Sequence, residues 1–254
     1  MVEIRDLHAG YDGGDVLRGI DLFIPAGAIT VIIGPNGCGK STLLKAIAGI
    51  HPPRAGGIRL DGTELVGLPP RETARQVAYL AQSRQVPEIT AERLVLHGRF
   101  PYLSYPRRYR REDLAIARGA MEIMGIHDLA QRRLDTLSGG QRQKVYIAMA
   151  LAQDTPVVLM DEPTTYLDIA HQLQMMEEAR LLAGAGKTVV LVLHDIALAL
   201  KRADHLVVLR DGSVLAAGGA EAVFESGCLE KAFGIRVLRT PSPDGWQYYY
   251  GERM

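Results

Sequence analysis

No surplus of either charge marks this sequence: 29 Lys and Arg balance 29 Asp and Glu across 254 residues. Without a broad electropositive field there is nothing to hold nucleic acid non-specifically, so no nucleic-acid partner is expected. Cysteine is nearly absent. Cys38 and Cys228 form neither a disulfide framework nor the spacing of a zinc site, which points to a reducing compartment. No uninterrupted apolar run reaches the roughly 18 residues of a membrane helix. The start, Met1 to Asp6, lacks the basic opening and apolar stretch of a secretory signal. Any role at a membrane is therefore expected to come through a partner. Internal repeats and low-complexity tracts are also missing. A hydrophobic share of 47% with 23% charged residues excludes the disordered and fibrous classes.

What is present is an alternation of short apolar runs and helical patterns, the mark of an α/β fold with a mostly parallel sheet. Ile29 to Ile33 is a β-branched run that leads into glycines 34, 37 and 39. From Lys40 onward, Leu43, Leu44, Ile47 and Ala48 recur at helical spacing. Val157 to Met160 and Thr188 to Leu193 have the length and apolarity of buried strands, and each ends in polar residues, where open α/β sheets place ligands. His205 to Leu209, the turn Asp211-Gly212 and Val214-Leu215 predict a hairpin. Between residues 83 and 155 the texture changes to helix-favouring stretches, including Arg110 to Met124 and Gln141 to Gln153. The expectation is one domain over 1–254, an α/β core of 1–82 and 156–254, and a helical subdomain over 83–155.

The chemistry begins at Gly34-Pro35-Asn36-Gly37-Cys38-Gly39-Lys40-Ser41-Thr42, which satisfies G-x-x-x-x-G-K-[ST] between a strand and a helix. Glycines let the loop curl its N–H groups around phosphate oxygens, and the helix aims its positive end at the same anion. In that pattern Lys40 meets the β- and γ-phosphates of ATP, and Ser41 can ligate Mg2+. The second signal is Val157-Val158-Leu159-Met160-Asp161-Glu162-Pro163, a strand that delivers two carboxylates. Asp161 is suited to hold magnesium, and Glu162 to orient and polarise the attacking water; a solvated acidic turn is the alternative. Leu137-Ser138-Gly139-Gly140-Gln141, at the head of a helical run, is a third anion-binding candidate. One triphosphate does not need two phosphate-binding helix ends from the same chain.

Leu-Ser-Gly-Gly-Gln at 137–141, lying between the phosphate loop and the acidic strand, resembles the signature sequence of the ATP-binding-cassette (ABC) ATPases. The resemblance covers nearly the whole chain. Gln82 resembles that family's Q-loop glutamine and His194 its switch histidine. Tyr11 sits where the family stacks an aromatic on adenine, and Leu167-Asp168 resembles its D-loop. The resemblance implies a P-loop core with an inserted helical subdomain and a head-to-tail dimer of two copies. In that dimer Ser138, Gly139, Gly140 and Gln141 of one chain, with Asp168, complete the ATP site of the other. It also gives Gln82 a share in metal sensing and His194 one in positioning water. Two transmembrane permease subunits, served by a periplasmic or surface substrate-binding protein, would place the chain on the cytoplasmic face of the membrane as a peripheral subunit.

The wording Asn-Gly-Cys-Gly-Lys-Ser-Thr, with Gly-Arg-Phe-Pro-Tyr at 98–102, Ile-Ala-Met-Ala-Leu-Ala-Gln at 147–153 and Asp-Glu-Pro-Thr-Thr-Tyr-Leu-Asp-Ile at 161–169, is similar to importers of iron-siderophore complexes, haem and cobalamin. Cys38 is usual in that group, and its plain reading is a small loop residue with no chemical role. The alternatives are another ABC importer, an exporter, or a soluble ABC ATPase that serves no transport. The basic cluster Arg107, Arg108, Arg110 and Arg111 is either a solvated helix entrance or a surface for acidic lipid or a permease loop. Trp246, Tyr248, Tyr249 and Tyr250 are expected to pack a terminal strand.

Overall fold

Five strands of unbroken or nearly unbroken apolar character set the architecture of the computed structural model, which describes residues 1–82, 86–164 and 168–251. Among the residues singled out above, Thr165, Tyr166, Leu167 and the boundary residue 83 lie outside the described residues. In chain order the strands are β1 (Val2–Tyr11), β2 (Gly14–Ile24), β3 (Ile29–Ile33), β4 (Ala55–Leu60), β5 (Thr63–Glu64), β6 (Val77–Leu80), β7 (Val157–Met160), β8 (Thr188–Val192), β9 (His205–Arg210), β10 (Ser213–Gly218), β11 (Arg236–Ser242) and β12 (Gly245–Gly251). The helices are α1 (Lys40–Ile47), α2 (Pro70–Gln76), α3 (Ala91–His97), α4 (Arg111–Ile123), α5 (Gly139–Gln153), α6 (Ile169–Gly184), α7 (Ile196–Arg202), α8 (Ala220–Glu225) and α9 (Cys228–Phe233).

The central sheet runs β10-β9-β3-β8-β7-β6. Pairing from β6 through β9 is parallel, and β10 closes the edge as the antiparallel half of the expected hairpin. Every residue of β3, β7 and β8 is buried, as a parallel strand covered on both faces requires. Alternation across the pleat divides the core. Ile29, Val31 and Ile33 of β3 pack with α3 to α9 on one face, while Ile32 packs with α1 and the N-terminal strands on the other.

Those N-terminal strands form a second, four-stranded sheet of order β2-β1-β4-β5, wholly antiparallel. The sequence reading of a mostly parallel fold did not resolve it. Asp6 sits at φ 44° and the β1–β2 register shifts three times, so the period-two pattern is interrupted where it would have been read. Between β6 and β7 all regular elements of the described residues are helical. They are tied by a buried ion pair, Arg99 Nε to Asp113 Oδ1 at 3.1 Å, with Arg99 also donating to the Ala152 carbonyl at 2.9 Å and stacking on Tyr102. No described helix is long and apolar enough to cross a membrane.

Candidate active site

Register decides what meets at the end of the sheet. Ile32 pairs with Val192, Met160 with Leu191 and Leu80 with Met160, so the segments that follow β3, β8, β7 and β6 emerge side by side. They carry Gly34 to Thr42, His194, Asp161 with Glu162, and Gln82. The loop after β3 turns into α1 through Gly39, whose φ of 107° belongs to the left-handed region that a side chain disfavours. The first-turn N–H groups of Lys40, Ser41 and Thr42 have no partners inside the helix by its geometry and point along its positive end. Lys40 is buried, and its ammonium donates to the carbonyls of Gly34 at 2.8 Å and Pro35 at 3.0 Å. Beneath the loop the Cys38 thiol is buried, and that burial pushes its pKa up.

A cleft of about 290 Å³ opens above this loop, lined by Tyr11, Val16, Asn36, Gly37, Gly39, Lys40, Ser41, Thr42 and Glu162. Asp161 is buried behind it and accepts two hydrogen bonds, from the Ser41 hydroxyl at 2.9 Å and the Tyr79 hydroxyl at 3.0 Å. Ser41 and Asp161 are thus an oxygen pair at the edge of a phosphate loop. That set fits a hard divalent cation which takes its other ligands from phosphate and water. No group of three or more His, Cys, Asp or Glu among the described residues could hold a metal alone.

Glu162 adopts φ 49°, an uncommon conformation for a residue with a side chain. Its carboxylate is largely enclosed, with His194 Nε2 at 2.7 Å from Oε1 and the Gln82 amide donating to Oε2. Two sequence candidates, His194 and Gln82, therefore converge from separate loops on the carboxylate of a third. The amide nitrogen of Gln82 is the group that meets Glu162.

The remaining candidates assemble elsewhere. Ser138 caps α5, accepting from Gln141 N at 3.3 Å, while the Gln141 side chain accepts from Ser138 N at 3.1 Å. The helix starts two residues earlier than its sequence pattern indicated because this cap recruits Gly139 and Gly140. Asp168 caps α6, and its Oδ1 accepts from the His171 backbone at 2.9 Å and the His171 ring at 2.6 Å. These two bonds hold the Asp168 carboxyl below its ordinary pKa. The His171 ring lies against Gly140, where an added Cβ would come within 2.7 Å of it. None of Ser138, Gly139, Gly140, Gln141 or Asp168 lines the cleft above Lys40.

Comparison with known proteins agrees with this geometry. Residues 17–165 match the family model described as ABC transporter. The chain belongs to the ABC transporter family. It is 41% identical to the ferric enterobactin transport ATP-binding protein FepC of Escherichia coli (strain K12), over 94% of this chain and 89% of that protein. Among solved structures, it is similar to a chain of an ABC transporter assigned to the metal-chelate type, in an inward-facing conformation. The TM-score is 0.85 at 25% identity, covering 100% of this chain and 97% of the other. It is also similar to the dimeric structure of MJ0796, a bacterial ABC transporter cassette, with a TM-score of 0.74 at 29% identity over 87% and 99% of the two chains.

The structure of this ABC ATPase also brings to the candidate residues side chains to which the sequence analysis assigned no part in the site. Tyr79 shares Asp161 with Ser41, and only the β6–β7 pairing brings it there. His171 bridges Asp168 to the start of α5. Tyr250, singled out only as strand packing, donates its hydroxyl to Asp195 at 3.1 Å and accepts from Ala197 N at 3.1 Å, bracing the segment next to His194. It lies on β12, where its ring is half exposed, and its hydroxyl reaches α7. Arg107, Arg108, Arg110 and Arg111 are all exposed, and Arg107 lies over the Phe100 ring.

Proposed function

We propose that this ABC ATPase binds Mg-ATP above Lys40, hydrolyses it through Glu162, and so powers membrane import of an iron-siderophore or a related metal chelate. The observation that carries the chemistry is the Glu162 carboxylate, oriented by His194 at 2.7 Å and by Gln82 at the wall of the phosphate-loop cleft. The cargo class rests on the likeness to the ferric enterobactin protein and to the metal-chelate type transporter.

Lys40, the loop N–H groups and the positive end of α1 draw the triphosphate into place. Ser41 and Asp161 would hold magnesium, which when bound supplies charge neutralisation at the phosphate oxygens. Glu162 aligns a water against the γ-phosphorus and takes its proton as the new P–O bond forms and the bond to the departing ADP breaks. His194 keeps the carboxylate oriented and contributes a donor toward the γ-phosphate. Gln82 joins Glu162 to the helices between Ala91 and Gln153, which act as the subdomain that passes motion to two permease subunits. The Ser138-Gly139-Gly140-Gln141 turn, exposed at Ser138 and Gly139, caps with Asp168 the nucleotide of a second copy in a head-to-tail dimer, a reading supported by the dimeric cassette it resembles. The chain then works at the cytoplasmic face of the membrane, and a periplasmic or surface binding protein delivers the chelate.

Mixing tests the dimer. A Lys40→Ala chain and a Gly140→Val chain, each inactive alone, should regain part of the wild-type rate when combined, because half of all pairs formed on mixing are heterodimers and each heterodimer contains one intact composite site. No recovery would leave the ATPase but remove the head-to-tail arrangement. For transport, purification from gently solubilised membranes should bring down a many-helix permease, and loss of Glu162 should stop uptake of the chelate that permease carries. Purely soluble partners, or export of the cargo, would redirect the assignment.

A further inference from the structure

Tyr11 is half exposed at the end of β1 and lines the cleft that also contains Lys40, Ser41 and Thr42. One side of its ring is already occupied. The His51 imidazole lies 4.6 Å away between ring centroids, tilted by 33°. His51 cannot drift, because its Nε2 is 2.7 Å from the Gly10 carbonyl. A carbonyl only accepts, so Nε2 carries the proton. The His51 backbone donates to the Lys45 carbonyl in α1 at 3.2 Å, which fixes the imidazole to the helix that carries the phosphate loop. Across the hairpin, Arg54 donates to the Tyr11 carbonyl and to Asp15 at 3.0 Å, holding the tyrosine backbone against the same segment.

We infer that His51 is a positioning residue for the nucleobase of the substrate, presetting the Tyr11 ring so that its outer face meets the purine. The inference rests on the reading of Tyr11 as the base-stacking residue. A tyrosine at a strand end would otherwise sample several rotamers and lose that freedom on binding. Stacking on an anchored imidazole removes the loss beforehand. Because His51 is tied to α1, the base platform and the phosphate loop keep a set separation, which suits one nucleoside triphosphate and discriminates against a ligand without a ring.

The test uses the full-length chain and four forms of it: wild type, Tyr11→Ala, His51→Ala and His51→Phe. Binding of ATP and of inorganic tripolyphosphate is titrated, and steady-state hydrolysis is measured. Removing the imidazole should weaken ATP binding about 3- to 10-fold, the scale of one aromatic pair. KM should rise far more than kcat falls, and tripolyphosphate affinity should not change. His51→Phe, which restores a ring, should recover most of the ATP affinity. If His51→Ala binds ATP like the wild type while Tyr11→Ala is weakened, the inference is overturned. An equal loss for ATP and tripolyphosphate would also overturn it, by moving the effect of His51 to the phosphate loop. If Tyr11→Ala is itself without effect, the base-stacking reading fails first and the role of His51 falls with it.

Discussion

The phosphate-loop cleft and the signature turn, both proposed above to receive phosphate, are assembled on opposite principles. The cleft joins residues far apart in the chain: Ser41 bonds to Asp161 across 120 residues and Gln82 to Glu162 across 80. Its members are fixed by a buried parallel sheet, so their positions cannot change without disturbing the core. The signature turn is local, a cap from Ser138 to Gln141 with one tertiary support from His171. It sits on helices rather than on the central sheet. In the proposed dimer a preformed, rigid half-site suits the chemistry, and a locally organised turn suits docking and withdrawal with its helices.

The sharpest way to break the symmetry between the two is Glu162→Gln. Turnover should fall about 10²- to 10⁴-fold with ATP binding kept, as loss of a positioned base predicts; single-turnover phosphate release measures it. Arg99→Ala comes next and acts only on the helical side. It takes the ion-pair partner from the buried Asp113 carboxylate, leaving it the Arg110 N–H, which is expected to cost about 3–5 kcal/mol in urea unfolding. A loss below 1 kcal/mol would mean the helices do not depend on that pair.

Gly140→Ala probes the support of the signature turn. The added methyl must displace His171 from Gly140 and strain its bond to Asp168, so the rate should drop on the order of tenfold through lost alignment. Binding of ATP to the separate chain should stay as it was, and parallel losses in both would erase the contrast drawn above.

The smallest effect concerns α6, which starts at the Asp168 cap. Burial raises the Glu178 carboxyl pKa to about 7, only partly offset by Lys144. Its pKa is higher folded than unfolded, so the native state binds the extra proton and stability declines as pH rises from the ordinary carboxylate range through about 7. Glu178→Gln should therefore raise Tm by about 2–4 °C at pH 8, with the gain vanishing near pH 4. A Tm difference independent of pH would show that packing, rather than charge, is responsible.

Much of the cleft was legible because its chemistry is written in contiguous residues. The loop from Gly34 to Thr42 needs glycines and a lysine at set spacing whatever surrounds it. The strand over Val157–Met160 has to be apolar throughout before it can deliver Asp161 and Glu162. Ser138 and Gln141 announce a capped helix for the same local reason. The antiparallel sheet was harder to read, because the bulges in β1 break the alternation that identifies a half-buried strand.

By itself, the sequence determined the alternation of strand and helix in the core, the phosphate loop between its strand and helix, and the pair of carboxylates, since backbone sterics and burial act on neighbours along the chain. Only the tertiary structure decided that Glu162 would be held between Gln82 and His194, that Tyr79 would share Asp161, that His51 would back Tyr11, and that His171 would rest on Gly140. Those contacts follow from strand register and helix packing. Both are set by the fit of the whole core, and no local pattern of residues encodes them.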